Sequence, residues 1–231
     1  VHIQLFHCGS EAGASFNVRQ VRETAAASAP HFRDREDMRR WLSRAFGARC
    51  NHLQAAHEHA RLALAQCPLL ANAYLALAAV SFAAEEPAPA VPLCVEQALR
   101  VRPFDGTVLF EAGQEAMLAG NADDALTLWR KAFDCGSHYQ QRLFDLLVDR
   151  VPAEFFLETF TMDWTAIARL QSRYLAADRP DQVQALLRPR AEAARRLAAQ
   201  SVPEKARDAW LDAAHCHQKL DEPAQCVECL R

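Results

Sequence analysis

The sequence predicts an all-α fold made of antiparallel helical hairpins. Three observations carry that expectation. Alanine and leucine dominate a 231-residue chain that holds only 7 glycines. No stretch alternates apolar and polar residues as a half-buried strand would. Apolar residues instead recur at helical spacing, in segments closed by proline or glycine. The length leaves room for about five to six hairpins of roughly 34 residues.

The stretch 103–136 shows the unit most clearly. Pro103 marks a boundary that no helix can run through. Asp105 is placed to cap the helix that follows. Leu109, Ala112, Gly113 and Ala116 then share one stripe. Gly120-Asn121 has turn chemistry, and Asp123 and Asp124 open a second helix at the positive end of its dipole. Ala125, Leu128, Trp129 and Ala132 form the second apolar face, closed at Cys135-Gly136. A glycine inside a helix costs about 1 kcal/mol against alanine. Gly113 is therefore expected where another helix approaches closely, with Ala125 as its counterpart.

The run Leu109-x2-Ala112-Gly113-x2-Ala116, eight residues, then Ala125-x3-Trp129-x2-Ala132 resembles the tetratricopeptide repeat. The glycine and both alanines match, while Leu109, Ala116 and Trp129 stand where the family has tryptophan, tyrosine and phenylalanine. The resemblance implies a right-handed superhelix of about five to six antiparallel helix pairs.

Residues 1–33 read as an N-terminal segment, a linker with a short helix. VHIQLF suits a short extended piece, Asn17-x-x-Gln20 resembles a capping box, and Pro30 ends the helix it would open. The solenoid is expected over 34–231. Its first hairpin is a helix over 34–46, with Met38, Trp41, Leu42 and Ala45 on one face, and a helix over 51–66. Its second pairs Tyr74-x2-Leu77-Ala78-x2-Ser81 with Val91-x3-Val95-x2-Ala98, across the turn EEPAPA. The fourth unit is irregular: a helix over 141–150, then Pro152 and the short apolar AEFFLETF. Asp163 should cap the fifth, Trp164-x2-Ile167-Ala168-x2-Gln171, whose turn is DRPD and whose return helix is broken or kinked by Pro189. The sixth is Trp210-x2-Ala213-Ala214-x2-His217, then Cys226-x3-Leu230, and sequence is expected to be missing beyond Arg231.

Net charge is −3, so the chain as a whole is no electrostatic partner for nucleic acid. No apolar run reaches the ~18 residues of a membrane span, and no direct membrane insertion is expected. The start has no signal peptide, and its valine suggests a fragment. The expected location is cytoplasmic, or a soluble domain of a membrane-anchored protein. The 8 cysteines fall mostly at helical core or helix-end positions and are expected as free thiols. The basic runs over 33–44 and 188–196 alternate with acids or alanines and read as solvated helix faces, with anionic lipid as the lesser reading.

Two clusters could carry chemistry. His215, Cys216, His217, Cys226 and Cys229 flank the turn at Asp221-Glu222 and could converge as a zinc or thiol site. Core positions explain most of them separately, since Cys226 takes a small-residue place and His217 the tyrosine place. Cys50, His52, His57 and His59 read as a helix face. No metal, cofactor or catalytic residue is expected, and the small zinc- or thiol-dependent enzyme is the rival reading.

In the repeat family the first helix of each hairpin lines a concave, peptide-binding surface. By register the resemblance implies that Asn72, Leu75, Ala79, Phe82, Phe110, Gln114, Met117, Phe144, Arg169 and Arg173 line it here. The lysine and asparagine clamp of the chaperone-binding members is absent, since Leu75, Ala79, Phe110 and Gln114 fill its places. A helix or extended apolar peptide suits such a groove better, as does another part of the same protein. The segments LRVRPFDGTVLFEAGQEAMLAGNADDALTLWRKAF, QQRLFDLL, PAEFFLETF and the Trp210 hairpin also look like the soluble repeat tail of bacterial O-antigen-ligase-like membrane proteins. That resemblance implies a non-catalytic scaffold or docking arm beside an absent membrane domain.

Overall fold

The computed structural model describes residues 18–84 and 90–230. Among them every regular element is helical. The extended segment expected at VHIQLF, the thiol of Cys8, the Asn17 end of the capping box and most of the turn at 85–89 lie outside the described residues. The chain divides into two compact units, one ending at Ala119 and the other beginning at Gly120.

In the first unit α1 (Val18–Ser28) is followed by a 3-10 turn, Ala29–His31, that contains Pro30. The short helix expected in this segment is packed, with Val21 fully buried. α2 (Arg35–Phe46) starts where the Asp34 carboxylate accepts from the Asp37 N–H at 2.8 Å. It ends at Gly47, whose φ of +58° is the left-handed geometry that glycine takes at little cost. α3 (Cys50–Gln66), α4 (Ala71–Val80), α5 (Val91–Val101) and α6 (Gly106–Leu118) follow. Asp105 caps α6 by accepting from Thr107 and Val108 N–H, at 2.9 and 3.2 Å. α3 packs on α4, α4 on α5, α5 on α6, and α4 also on α6. Ala78 and Ala98 are fully buried, so small residues do stand where these helices meet.

The second unit holds α7 (Ala122–Asp134), α8 (Ser137–Leu147), α9 (Ala153–Thr159), α10 (Trp164–Ala176), α11 (Pro180–Ala185), α12 (Leu187–Gln200), α13 (Pro203–Lys219) and α14 (Pro223–Leu230). Asp163 caps α10, accepting from Ala166 N–H at 2.7 Å. α7 packs on α8, α8 on α10, α10 on α11 and α12, α12 on α13, and α13 on α14. The core runs through Trp129, Phe133, Phe144, Phe156, Leu170 and Tyr174, each at most 2% exposed.

One boundary differs from the sequence reading, and one expected break is found. The fourth unit begins at Ser137 rather than Gln141, because Gly136 at φ +128° turns the chain at once into α8. The return helix of the fifth unit breaks at Leu186, before Pro189. A proline ring clashes with the carbonyl four residues earlier, here Ala185. Pro189 is accommodated in the first turn of α12, where its missing N–H leaves nothing unpaired.

Candidate functional site

A residue at positive φ stands two positions before a helix in three places. Gly120, Asp178 and Asp221 take φ of +83°, +54° and +57°, and α7, α11 and α14 each start two residues later. At the two aspartates the closure is a double bond that satisfies otherwise orphaned carbonyls. Arg179 N–H donates to Tyr174 O at 3.0 Å and Asp178 N–H to Leu175 O at 3.2 Å; Glu222 N–H donates to His217 O at 3.0 Å and Asp221 N–H to Gln218 O at 3.2 Å.

This left-handed residue gives the three places a common reference point. Ala116, Tyr174 and His217 each stand four residues before it. The fifth unit thus reads Ile167-x2-Leu170-Gln171-x2-Tyr174, three residues on from the register anchored at Trp164. Burial agrees: Ile167, Leu170 and Tyr174 are at most 2% exposed, whereas Trp164 and Ala168 are half-buried. Trp164 and Ile167 both offer a large apolar residue at helical spacing.

In this unit Arg169 and Arg173 are half-buried, Ser172 is exposed and Leu175 is 68% exposed. The two arginines have local partners on α8. Arg169 donates to the Gln140 side chain at 2.5 Å, and Arg173 pairs with Asp145 at 3.1 Å. Of the other groove residues, Asn72 is exposed and Ala79, Phe82, Gln114 and Met117 are half-buried. Leu75, Phe110 and Phe144 are instead buried. Leu75 belongs to a cluster with Ala71, Ala98 and Val108, and Phe144 meets Phe133 and Phe156 edge-on. Those three are core residues and cannot present a surface to a ligand.

In the first unit α1 packs against α4. Val18 and Val21 join a buried cluster with Leu42, Leu53, Ala56 and Val80, against which the groove residues Ala79 and Phe82 also pack. One guanidinium nitrogen of Arg22 lies 2.7 Å from each Glu115 carboxylate oxygen, and both side chains are largely buried. Val80 and Glu115 occupy the same register place, six residues beyond Tyr74 and Leu109. α1 thus follows one row of positions from α4 to α6.

The histidine and cysteine cluster is not assembled for a metal. Among the described residues no group of three metal-binding side chains converges. His215 is exposed, while Cys216 and Cys229 are buried. The buried His217 pairs through Nδ1 with Glu222 at 2.7 Å, and Arg188 bonds the same carboxylate. The hydrogen bond from His217, joined by the Arg188 charge, holds the Glu222 carboxyl below its usual range. Burial pushes the Cys216 thiol up to about 11, and raises those of Cys50, Cys94 and Cys229 as well. Nucleophilic or metal-binding sulfur needs the thiolate, which burial here disfavours.

The basic run over 188–196 does more than face solvent. Arg190 donates through Nε to Asp212 at 2.8 Å, bonds its second oxygen, and donates to Gln171 Oε1 at 2.5 Å. Trp164 Nε1–H also donates to Asp212, at 2.6 Å. Arg195 pairs with Glu228 at 3.2 Å. No sequence pattern signals this network, since Asp212 lies 22 and 48 residues from its two partners.

Alkaline pH should loosen the second unit. Burial pushes Tyr174 up to about 12, the nearby Arg179 charge opposing it, and Tyr174 donates to Val151 O at 2.9 Å. The folded values of Cys216 and Tyr174 lie above the ordinary 9.0 and 10.0. Their contribution is therefore complete below pH 9 and is lost as pH rises through about 11 and 12, roughly 2–3 kcal/mol for each group. Urea midpoints measured from pH 8 to 12 should fall, and Tyr174→Phe should flatten the part above pH 10. A slope unchanged by that substitution would refute the assignment.

No protein-family model matches the chain, and neither does any curated protein. Among the described residues no helix is long and apolar enough to cross a membrane.

Proposed function

We propose that the chain is a non-catalytic helical-repeat module that binds a helix along the first helices of its hairpins. The observation that carries this reading is α1. A helix with a narrow apolar stripe already lies on α4, next to Ala79 and Phe82, and reaches α6 through Arg22 and Glu115. A face that accepts one amphipathic helix has the spacing and chemistry for others, with apolar anchors at i, i+3 and i+7. The serial packing of neighbouring helices and the recurrent turn agree with a tetratricopeptide-like stack. The working surface in the first unit is then Asn72, Ala79, Phe82, Gln114 and Met117, without the buried Leu75 and Phe110.

The test is a display selection of helical peptides on the purified chain, with counter-selection on a variant carrying Phe82→Ala and Met117→Glu. Circular dichroism must show unchanged helicity in that variant. The reading requires amphipathic helical binders whose affinity drops at least about tenfold on the variant, or ~1.4 kcal/mol. Binders indifferent to both substitutions would refute it.

A further inference from the structure

Val18, Val21 and Ala25 of α1 are buried, and Arg22 is ion-paired to Glu115. These four α1 residues stand at i, i+3, i+4 and i+7, one face of a helix. Val18, Val21 and Ala25 are 6%, 0% and 3% exposed, while Gln20, Glu23, Thr24, Ala26 and Ala27 on the other sides are exposed. The buried face is small and apolar with one cation. The surface it meets is apolar at Leu42, Leu53, Ala56 and Val80, with Ala79 and Phe82 packed against them, and carries one anion at Glu115. Helix and surface are thus complementary in both shape and charge.

α1 is also short. A helix of 11 residues without a tertiary partner is marginal in water. Its buried apolar side chains are two valines and an alanine, small beside the aromatic rings that fill the core of the second unit. It is joined to α2 only by the residues 29–34. So short a tether keeps α1 at an effective concentration of roughly millimolar beside its own docking surface.

We infer that α1 is a built-in occupant of the groove, displaced by a partner helix of the same make. Resting on the helix-binding function proposed above, this inference adds the ligand's pattern and its regulation. The partner carries small apolar residues at i, i+3 and i+7 and an arginine at i+4 that takes over Glu115. While α1 is docked, the partner's apparent affinity is lowered in proportion to the fraction of chains whose groove is open. Any event that weakens α1 docking therefore turns binding on.

The test uses the whole chain and one probe, a fluorescently labelled peptide of the sequence of residues 18–31. Its affinity is read by anisotropy on the unaltered chain and on a variant opened by Val21→Asp and Arg22→Glu. Hydrogen exchange of the amides of 18–28 reports whether α1 has been released. The opened chain should bind the peptide at least about tenfold more tightly than the unaltered chain. Adding Glu115→Arg to the opened chain should abolish the gain, and a peptide bearing Arg22→Glu should restore it. Equal affinity for the unaltered and opened chains, with α1 released, would make α1 a fixed cap and overturn the inference. So would continued protection of 18–28 in the variant. If the opened chain binds helices from the display selection but not the α1 peptide, the groove function stands and this inference falls. If it binds neither, both fall.

Discussion

Phe156→Ala is expected to destabilise the second unit by about 3–5 kcal/mol, the range for removing a fully buried aromatic ring. Phe156 is 0% exposed. Its ring centroid lies 5.5 Å from that of Phe144, 5.9 Å from Phe160 and 6.3 Å from Tyr174. The loss should be large because α9 has only 7 residues and cannot persist without packing. Without the ring, α9 loses its anchor and the Tyr174–Val151 bond loses its apolar cover. Phe155 next to it is only half-buried. Phe155→Ala should cost less than half as much in urea denaturation. Equal losses at the two positions would show that α9 is not held by Phe156.

Asp212→Ala should cost about 3 kcal/mol, at the lower end of the range for breaking a buried ion pair by removing one partner. The carboxylate accepts from Trp164 on α10 and from two nitrogens of Arg190 on α12. Its removal leaves a guanidinium that is 22% exposed with Gln171 as its remaining partner, and an indole N–H without its acceptor. Asp212→Asn keeps the shape but not the charge and should cost roughly half as much. A double-mutant cycle with Arg190→Met measures the coupling directly. If the double variant is as unstable as the sum of the single ones, the network does not join α10, α12 and α13 energetically. Near-complete recovery in the double variant is the expected result, since an unpaired buried charge is costlier than none.

Most of the local structure was legible in the sequence. Asp34, Asp105 and Asp163 are caps because a carboxylate beside the first free amides satisfies them wherever the chain goes next. The turn at Gly120 follows from the rarity of residues that accept positive φ. The short helix over 153–159 was visible as an apolar run between Pro152 and the Asp163 cap. The candidate surface was harder to see. Groove positions follow from register, and Trp164 and Ile167 offer two registers three residues apart. Leu75, Phe110 and Phe144 fit the groove spacing too, since exposed and buried apolar residues on one helix differ by a rotation too small for periodicity to register.

The sequence by itself determined the helices, their caps and the small residues between them, because these depend on neighbours within about four positions. The tertiary structure alone decided which apolar residues are core, where Arg190 and Asp212 meet, and that α1 packs on α4 and reaches Glu115 of α6. The two ion pairs join residues 22 and 93 positions apart. Such pairings leave no periodic trace in the chain. They are fixed by whether a charge or an apolar stripe finds its complement once the helices have packed.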